Sequence, residues 1–414
     1  MPKTSIKRNR KSFFTTNIIL GIILFFSLIT RLFNLGAIKE TIFDEDFHVL
    51  TARAMMHGNP NAWEWLVLPN GQTSLQAVRF EWTHPPLAKL GMILGMELFG
   101  ENSFGWRIPG AILGTLTVYL VFLLGKVIFD DEKIGLLAAF VFALDGLPLV
   151  MSRIGLNDSY FLFFALLSIY LLIIKRDFWS AVALGLSIAS KWSGIWTIPI
   201  LVAIFLRRNF KEQVFNTSIL WFLILPFIIY LLSYLPMFLN GHTFSYWWEL
   251  QKQMLIFHRS QTLTHPYSSD WWSWPILLRP IVFYKIGEPT DIVGKIYAMG
   301  NPFVFWFGLI SVIIGTVYYF IENNTKNIGL VIFSYLIFFV PWAFSPRLMF
   351  IYHYLPAVPF LAIATAYILR RFPKITFIYL FICLFVYLYF YPHWTGLQVP
   401  VWLDNSYYWI KSWR

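Results

Sequence analysis

The sequence predicts an all-α polytopic membrane protein, and three observations support this fold class. Of the 414 residues, 58% are hydrophobic and only 13% are charged, whereas soluble domains carry about 25% charged residues. Apolar runs of about 20 residues, long enough to cross a bilayer as a helix, recur along the chain. The sequence also shows no linker or low-complexity segment that marks a separate soluble domain. These features predict one membrane-embedded unit.

About eleven candidate spans follow from the hydrophobic pattern. The first apolar run follows a basic stretch and continues to Leu35 without a small-residue cleavage site, so we expect a retained span and not a cleaved signal peptide. In chain order, the candidate spans are Thr16–Leu35, Trp106–Phe129, Ile134–Val150, Ser159–Ile174, a pair within Phe178–Leu206, Leu220–Leu239, Phe303–Ile321, Ile328–Phe344, Phe350–Leu369 and Ile375–Tyr391.

The distribution of basic residues predicts the orientation of these spans. With the N-terminus in the cytoplasm, the short loops that face inward are mostly basic, as the positive-inside rule requires. This parity holds only if Phe178–Leu206 crosses twice, through two helices that meet near Lys191. A single tilted span there would reverse the orientation of every later span. Two long segments, 36–105 and 240–302, then lie outside, together with the tail after Tyr391.

The two outer segments are rich in residues that suit a membrane surface. In the first segment, Phe47–His57 and Pro86–Leu98 have the pattern of short amphipathic helices that lie at the interface. The second segment is dense in tryptophan, which is typical of interfacial anchoring. The alternative is that these rings form a stacking surface for sugar or lipid.

The remaining composition limits the classes of function. The formal net charge is +11, which cytoplasmic loops and anionic head groups explain in a membrane protein, so we expect a lipid bilayer and no nucleic acid as a partner. The single cysteine, Cys383, excludes an internal disulfide and a cysteine-based metal site. The sequence contains no nucleotide-type glycine-rich loop, serine nucleophile elbow or H-E-x-x-H motif. Nucleotide-driven transport and serine or zinc proteolysis therefore lose support.

Three consecutive acids, Asp44, Glu45 and Asp46, follow the first span. A carboxylate at this depth is partly desolvated, which raises its basicity and suits a general base. The alternative is an acidic N-cap for the helix that follows. Asp44 and Asp46 also form a D-x-D pair that could hold a divalent cation, although this signal is weak by itself.

Further ionisable side chains recur at the predicted outer ends of the spans. Such groups are costly at membrane depth and usually mark a site, although single ones also serve as snorkelling anchors or turn caps. Together they fit a negatively charged, membrane-borne substrate such as a lipid phosphate. We expect them to converge with Asp44 on one head-group cavity. They are His84, Lys89, Arg107, Arg153, Asp158, Lys191, Arg347 and His353.

Short motifs in the same order along nearly the whole chain resemble the protein O-mannosyltransferase family. The C-terminal motifs favour this family over the related lipid A aminoarabinose transferases. The second outer segment is too short for the sugar-binding-like MIR insert of fungal and animal members, so the chain resembles the compact prokaryotic form. The motifs include Phe43-Asp44-Glu45, His84-Pro85-Pro86-Leu87-Ala88-Lys89-Leu90, Arg107 at the head of a span, Ser152-Arg153 with Asp158, Ser190-Lys191-Trp192-Ser193-Gly194, Gly300-Asn301-Pro302 and Tyr352-His353-Tyr354-Leu355-Pro356.

This resemblance implies a membrane enzyme of the GT-C fold with an inverting transfer reaction. Mannose leaves a polyprenyl-phosphate donor and joins a Ser or Thr hydroxyl of a secreted or membrane protein, on the outer face and without a cofactor. Asp44 is implied as the base with Glu45 beside it, and Arg107 as a ligand of the lipid phosphate. The remaining cations, His84, His353 and Asp158 complete the implied substrate-binding set. The family does not generally need a metal, which weighs against a D-x-D site, although Asp46 is an extra acid relative to the usual motif.

The resemblance also implies two modules. We expect 1–239 to form the catalytic transmembrane module, with 36–105 as its catalytic outer loop, and 240–414 to add an outer loop and four further helices. Two other functions stay open: a related GT-C transferase that glycosylates a lipid or polysaccharide, and a lipid-linked sugar transporter. A transporter predicts inverted repeats and interrupted midplane helices, for which the sequence gives no convincing sign.

Overall fold

The computed structural model describes residues 10–65, 80–212, 218–260, 264–287, 291–322 and 326–414. Within these ranges the protein consists of helices and one small antiparallel sheet. The helices are α1 (Arg10–Leu32), α2 (Glu45–Met56), α3 (Leu87–Phe99), α4 (Ser103–Phe129), α5 (Glu132–Ala143), α6 (Gly146–Ser152), α7 (Asp158–Ile173), α8 (Asp177–Ser190), α9 (Thr197–Glu212), α10 (Ser218–Ser233), α11 (Leu235–Leu239), α12 (Phe244–Ser260), α13 (Pro302–Ile321), α14 (Lys326–Phe339), α15 (Val358–Leu369), α16 (Pro373–Thr395) and α17 (Val401–Ser406).

The helices confirm the predicted fold class. In the described part of the chain, six helical segments are long and apolar enough to cross a membrane, and the pair α5 and α6, bent by 66°, makes a seventh. Helices α7, α8 and α10 are apolar but shorter. The chain is therefore an integral membrane protein. The count of about eleven spans stays a prediction, because it requires α7 to α10 to cross as well.

The segment 178–206 forms two helices, as predicted. Helices α8 and α9 meet at the 3₁₀ turn Trp192–Trp196, and Lys191 lies at the break. At the far end of α9, Arg207 donates to the backbone oxygen of Lys326 at 3.1 Å. The break near Lys191 and the basic loops therefore lie at opposite ends of these helices, as the predicted parity requires.

The first outer segment contains α2 and α3, close to the predicted helices Phe47–His57 and Pro86–Leu98. Helix α3 begins directly after two prolines, whose fixed φ suits the first turn of a helix. The two helices pack together, and Val49, Met92 and Trp106 form a small core between them and the start of α4. This packing holds the first outer segment against the spans.

The core of the protein is continuous across the two predicted modules. Helix α15 lies at its centre, where every residue except Tyr367 is buried, and it packs against α5, α13 and α14. At the bend between α5 and α6, Asp145 Oδ1 accepts from Leu147 N at 2.9 Å and Oδ2 accepts from Asn301 N at 3.0 Å. The Asn301 amide donates in turn to the backbone oxygens of Leu144 and Cys383. Asp145 and Asn301 therefore join the two modules.

The second outer segment contains a sheet that the sequence analysis did not predict. Strands β1 (Ile281–Ile286) and β2 (Ile292–Ala298) pair antiparallel, and β3 (Val399–Pro400) adds to β2 from the C-terminal tail. The register places Ile281 opposite Ala298, with an irregularity between Val282 and Tyr284. The sheet fixes the C-terminal tail beside the outer loops.

Candidate active site

A cavity of about 260 Å³ lies where the ends of several helices meet. Its wall combines residues from the turn before α2, the segment before α3, the start of α7, the break after α8 and the segment between α14 and α15. Six of the predicted site residues line it together. They are Asp44, His84, Asp158, Lys191, Arg347 and His353.

Asp44 sits in a turn whose conformation is tightly fixed. The residue before it, Phe43, has a φ of +54°, a left-handed conformation that is uncommon for a bulky side chain and costs about 1–3 kcal/mol. The Phe43 ring stacks on Phe283, with centroids 4.1 Å apart. Stacking therefore holds the strained residue in place, and the strain directs the following carboxyl group.

The Asp44 carboxyl group is free to act in the cavity. Asp44 occupies the N-cap position of α2, but its side chain makes no capping hydrogen bond. The backbone oxygen of Asp44 instead accepts from the amides of Phe47 and His48. The alternative that this acid merely caps a helix is therefore wrong for its side chain.

Burial sets the protonation of Asp44. Desolvation raises the pKa of this carboxyl from 3.8 to about 7, against the opposing attraction of Lys191. The nearby charges of Glu81 and Asp158 raise the pKa further. A carboxylate whose pKa lies near neutral pH is well suited to accept a proton from a hydroxyl group.

Two cations line the same cavity. Lys191 Nζ lies 2.9 Å from Asp158 Oδ1 and 5.9 Å from the centre of the Tyr352 ring. Arg347 Nη1 lies 3.1 Å from His258 Nδ1, and its buried Nε has no hydrogen-bond partner among the described residues. Lys191 supplies a fixed point charge, and Arg347 retains free donors. The pair can bind an anionic group beside Asp44.

The histidines around the cavity are neutral donors and acceptors. Because Arg347 donates to His258 Nδ1, the ring proton of His258 lies on Nε2, which donates to Thr83 O at 2.9 Å. Burial, followed by the charge of Arg347, lowers the pKa of His258 to about 4. His84 Nδ1 donates to Thr83 O at 2.8 Å, so its Nε2 is left as an acceptor. Burial also holds the pKa of His84 below its usual range.

Asn157 is one of several polar residues in the wall that were not among the predicted site residues. Asn157 is 1% exposed, lines the cavity, and neither its amide nitrogen nor its amide oxygen has a hydrogen-bond partner among the described residues. A buried amide without partners costs about 1–3 kcal/mol, and a ligand that forms hydrogen bonds with it offsets this cost. The sequence offers one signal for Asn157, its position directly before Asp158.

Arg107, expected as a ligand of the lipid phosphate, makes all of its contacts within the protein in this structure. Its five N–H groups are all used within the protein: Nε and Nη2 donate to Glu45 at 2.9 and 2.6 Å, and the other three donate to backbone oxygens of Leu35, Ile38 and Glu40. An arginine has five donors, so none is left for a phosphate. Arg107 does not line the Asp44 cavity.

Glu45 is likewise a positioning residue and not a group in the cavity. It is 0% exposed, and besides Arg107 its carboxylate accepts from Ile42 N at 3.1 Å, Trp106 Nε1 at 3.1 Å and Gly155 N at 2.7 Å. The bond to Ile42 closes the turn that contains Phe43 and Asp44. Glu45 and Arg107 therefore fix the direction of the Asp44 carboxyl.

Lys89 and Arg153 also lie outside the cavity, contrary to expectation. Lys89 forms a buried ion pair with Glu81 and donates to His84 O at 3.1 Å. Arg153 Nη1 lies 2.8 to 3.0 Å from the backbone oxygens of residues 30, 31 and 33 at the end of α1, where a cation stabilises the helix terminus. Both stabilise the segments that form the wall.

Asp44 and Asp46 do not face a common point. Asp46 is exposed, accepts from Thr41 Oγ1 and does not line the cavity. Within the described ranges, no group of three or more His, Cys, Asp or Glu side chains is arranged to hold a metal ion. The D-x-D spacing therefore does not form a ligand pair here.

Two family models match consecutive parts of the chain. The model of dolichyl-phosphate-mannose-protein mannosyltransferase matches residues 83–235, and that of the C-terminal four-transmembrane region of protein O-mannosyltransferase matches residues 243–413. The chain belongs to the protein O-mannosyltransferase family. The C-terminal match agrees with the prediction that the last motifs separate this family from the aminoarabinose transferases.

Comparisons with individual family members and related folds agree. The chain is 25% identical to the polyprenol-phosphate-mannose–protein mannosyltransferase of Mycolicibacterium smegmatis, over 95% of this chain and 92% of that protein. The S. cerevisiae Pmt1-Pmt2 complex bound to the sugar donor has a similar fold, with a TM-score of 0.80 at 14% identity over 97% and 93% of the two chains. ArnT from Cupriavidus metallidurans, bound to undecaprenyl phosphate, aligns with a TM-score of 0.58 at 14% identity over 90% and 62%. These neighbours confirm the predicted GT-C fold.

Proposed function

We propose that this protein is an inverting mannosyltransferase that moves mannose from a polyprenyl-phosphate carrier to Ser or Thr hydroxyls of proteins. Membership of the protein O-mannosyltransferase family supports the reaction class. The observation that carries the proposal is the Asp44 carboxyl, which makes no capping hydrogen bond, has no hydrogen-bond partner in the described part of the chain, and faces a cavity that also contains Lys191 and Arg347. A base and an anion-binding pair in one cavity are the two elements that this transfer needs.

Asp44 is the proposed general base. The hydroxyl oxygen of the acceptor attacks C1 of mannose, its proton passes to Asp44, and the bond from C1 to the phosphate oxygen breaks. A positioned base contributes about 10²–10⁴-fold to such a step. Attack from the side opposite the leaving group inverts the configuration at C1. Because the phosphate leaves as a stable anion, no acid is required to protonate it.

Lys191 and Arg347 are the proposed ligands of the departing phosphate, in place of Arg107. Negative charge builds up on the phosphate as the bond breaks, and preorganised cations stabilise it without moving. Arg347 has the unpartnered Nε described above, and Lys191 is held in place by Asp158. The polyprenyl chain remains in the bilayer, so the donor reaches the cavity by lateral diffusion.

The sugar is held by the neutral polar groups of the wall. We assign Asn157 to this role because its amide can donate to one hydroxyl and accept from another. His84 Nε2, which is unprotonated while Nδ1 donates to Thr83, supplies a further acceptor. His353 lines the cavity beside Tyr352, with ring centroids 4.6 Å apart, and adds an aromatic surface.

The proposed orientation places the N-terminus in the cytoplasm and the cavity on the outer face. It is supported by the basic loops at the end opposite the cavity, where Arg370 Nε lies 2.9 Å from Asp131 Oδ2 and Arg207 contacts Lys326. The acceptor is then a secreted or membrane protein. We also propose that residues 1–239 form the catalytic module and that 240–414 complete its cavity through Arg347 and His353.

The direct test uses membranes that contain the protein and radiolabelled polyprenyl-phosphate mannose. We expect label on protein, and we expect Asp44→Asn to lose it, while Asp46→Asn, whose carboxylate lies outside the cavity, retains it. Label that appears on lipid or polysaccharide contradicts the protein acceptor and favours the related transferase activity. Absence of transfer from every such donor contradicts the enzymatic function.

A further inference from the structure

A second, larger groove opens beside the catalytic cavity. It has a volume of about 600 Å³ and is formed by residues 268–270, 272–273, 278–279 and 346–349, with Ser412 from the C-terminal tail. Arg347 and Leu348 line both the groove and the catalytic cavity. The groove is therefore continuous with the wall that carries the proposed phosphate ligand.

Part of the backbone along this groove is free to form hydrogen bonds with a ligand. Ser269 N donates to Met349 O at 2.9 Å, and this bond ties the two sides of the groove together. In contrast, the backbone N–H and C=O groups of Arg347 and Leu348 have no hydrogen-bond partner among the described residues. Unpaired main-chain groups at a protein surface bind an extended polypeptide through its own backbone.

The other side of the groove is polar and rigid. Arg279 donates to Pro266 O at 2.8 Å and to Ser412 O at 3.0 Å, which fixes the C-terminal tail against the loop. Ser268 and Asp270 are exposed at its surface. A polar groove with fixed walls suits a hydrated chain and does not suit the apolar tail of the lipid donor.

We propose that this groove binds the acceptor polypeptide in an extended conformation, with the backbone of Arg347 and Leu348 as its main-chain partner. The proposal rests on the proposed mannosyl transfer and defines how the acceptor reaches it. The hydroxyl side chain that reacts passes over Arg347 and Leu348 toward Asp44. Because recognition is through the main chain, the acceptor must be locally unfolded. A proline at the paired position weakens binding because it lacks an N–H group.

Disulfide capture tests this placement. The single native cysteine, Cys383, is buried, so Ser268→Cys introduces the reactive thiol in the groove. Asn405→Cys, at an exposed position of α17 outside the groove, is the matched control. The probes are synthetic peptides with one threonine and one cysteine, the cysteine being moved along the peptide and activated as a mixed disulfide whose small thiol leaves on capture. We expect capture by Ser268→Cys only, with alternating strength, because side chains of an extended peptide alternate in direction.

A kinetic measurement separates this proposal from the proposed function. Ser268→Trp fills the groove, and we expect about a tenfold or greater rise in the KM for the peptide with an unchanged KM for the lipid donor. Asn405→Trp should change neither. If the wild-type protein mannosylates the peptide but Ser268→Trp leaves the peptide KM unchanged, or both cysteine variants capture peptides equally, the groove assignment is wrong while the transferase function stands. If the wild-type protein does not transfer mannose to any peptide, both fail.

Discussion

Replacement of Asp44 by Asn should abolish transfer and, at the same time, stabilise the folded protein at alkaline pH. The pKa of this carboxyl is raised from 3.8 to about 7 by burial, so the folded state binds the proton more tightly than the unfolded state. The stability that this gives is fully present below about pH 4 and is lost as the pH rises through about 7. Asn carries no charge at any pH, so the variant avoids that loss.

The size of the effect follows from the same rise in pKa. A change of one in pKa corresponds to about 1.4 kcal/mol, so the rise to about 7 gives roughly 4 kcal/mol as an upper bound. The carboxyl is partly exposed to the cavity, and screening by solvent reduces this value to about 1–2 kcal/mol. The activity should fall by about 100-fold or more, because the proton acceptor is gone.

The assay compares thermal unfolding of detergent-solubilised wild-type and Asp44→Asn protein at about pH 8 and about pH 4. We expect a higher melting temperature for the variant only at the higher pH. The wild-type transfer rate should rise with pH and reach half of its maximum near about 7, where Asp44 loses its proton. His258, whose pKa is lowered to about 4, does not titrate in that range. A variant that is less stable at the higher pH, or a flat rate profile across neutral pH, refutes the assignment of Asp44 as a base whose pKa is raised by burial.

Three further substitutions distinguish chemical groups from positioning groups. Lys191→Met, made with Asp158→Asn to avoid an unpaired buried carboxylate, should reduce kcat by about 100-fold, and unchanged turnover of the double variant contradicts a phosphate contact. Arg107→Lys should lower the melting temperature, because an ammonium group cannot replace both hydrogen bonds to Glu45 and the three to backbone oxygens. The donor KM of the folded fraction should stay the same; a raised donor KM instead restores Arg107 as a phosphate ligand. Asn157→Leu should raise both the melting temperature, by removing about 1–3 kcal/mol of unsatisfied polar burial, and the donor KM. A lower melting temperature there shows that the amide has a structural partner.

The helices could be predicted because they depend on local sequence, whereas Asp44 as the base stays a prediction. Apolar runs predicted the position of most spans. The break at Lys191 was predicted from the small and polar residues between the helices α8 and α9. Asp44 was selected from three consecutive acids by the resemblance of Phe43-Asp44-Glu45 to the family motif. The sheet was missed because only the tryptophans of this outer segment were interpreted, as membrane anchors, and β1 and β2 contain none.

The proposed choice of Lys191 over Arg107 as phosphate ligand could not be made from the sequence, because it depends on backbone that is distant in the chain. Arg107 and Lys191 both sit at helix ends and are both buried. The guanidinium of Arg107 donates all of its hydrogen bonds to Glu45 and to three backbone oxygens between residues 35 and 40. These acceptors lie more than sixty residues earlier in the chain. Lys191 has one carboxylate partner and faces a cavity. Only the folded chain shows which donors remain free.

The two adjacent acids of the Phe-Asp-Glu motif illustrate why a base and its support are neighbours in sequence. Successive residues at the start of a helix point in different directions, so Asp44 faces the cavity while Glu45 faces the core. Glu45 accepts five hydrogen bonds from four residues, and one of them, from Ile42, closes the turn before the base. A carboxylate that is distant in sequence could not close that turn so tightly. The strain at Phe43 is therefore held by a group only two residues away, and a change at Glu45 must misplace Asp44 without touching the reacting atoms.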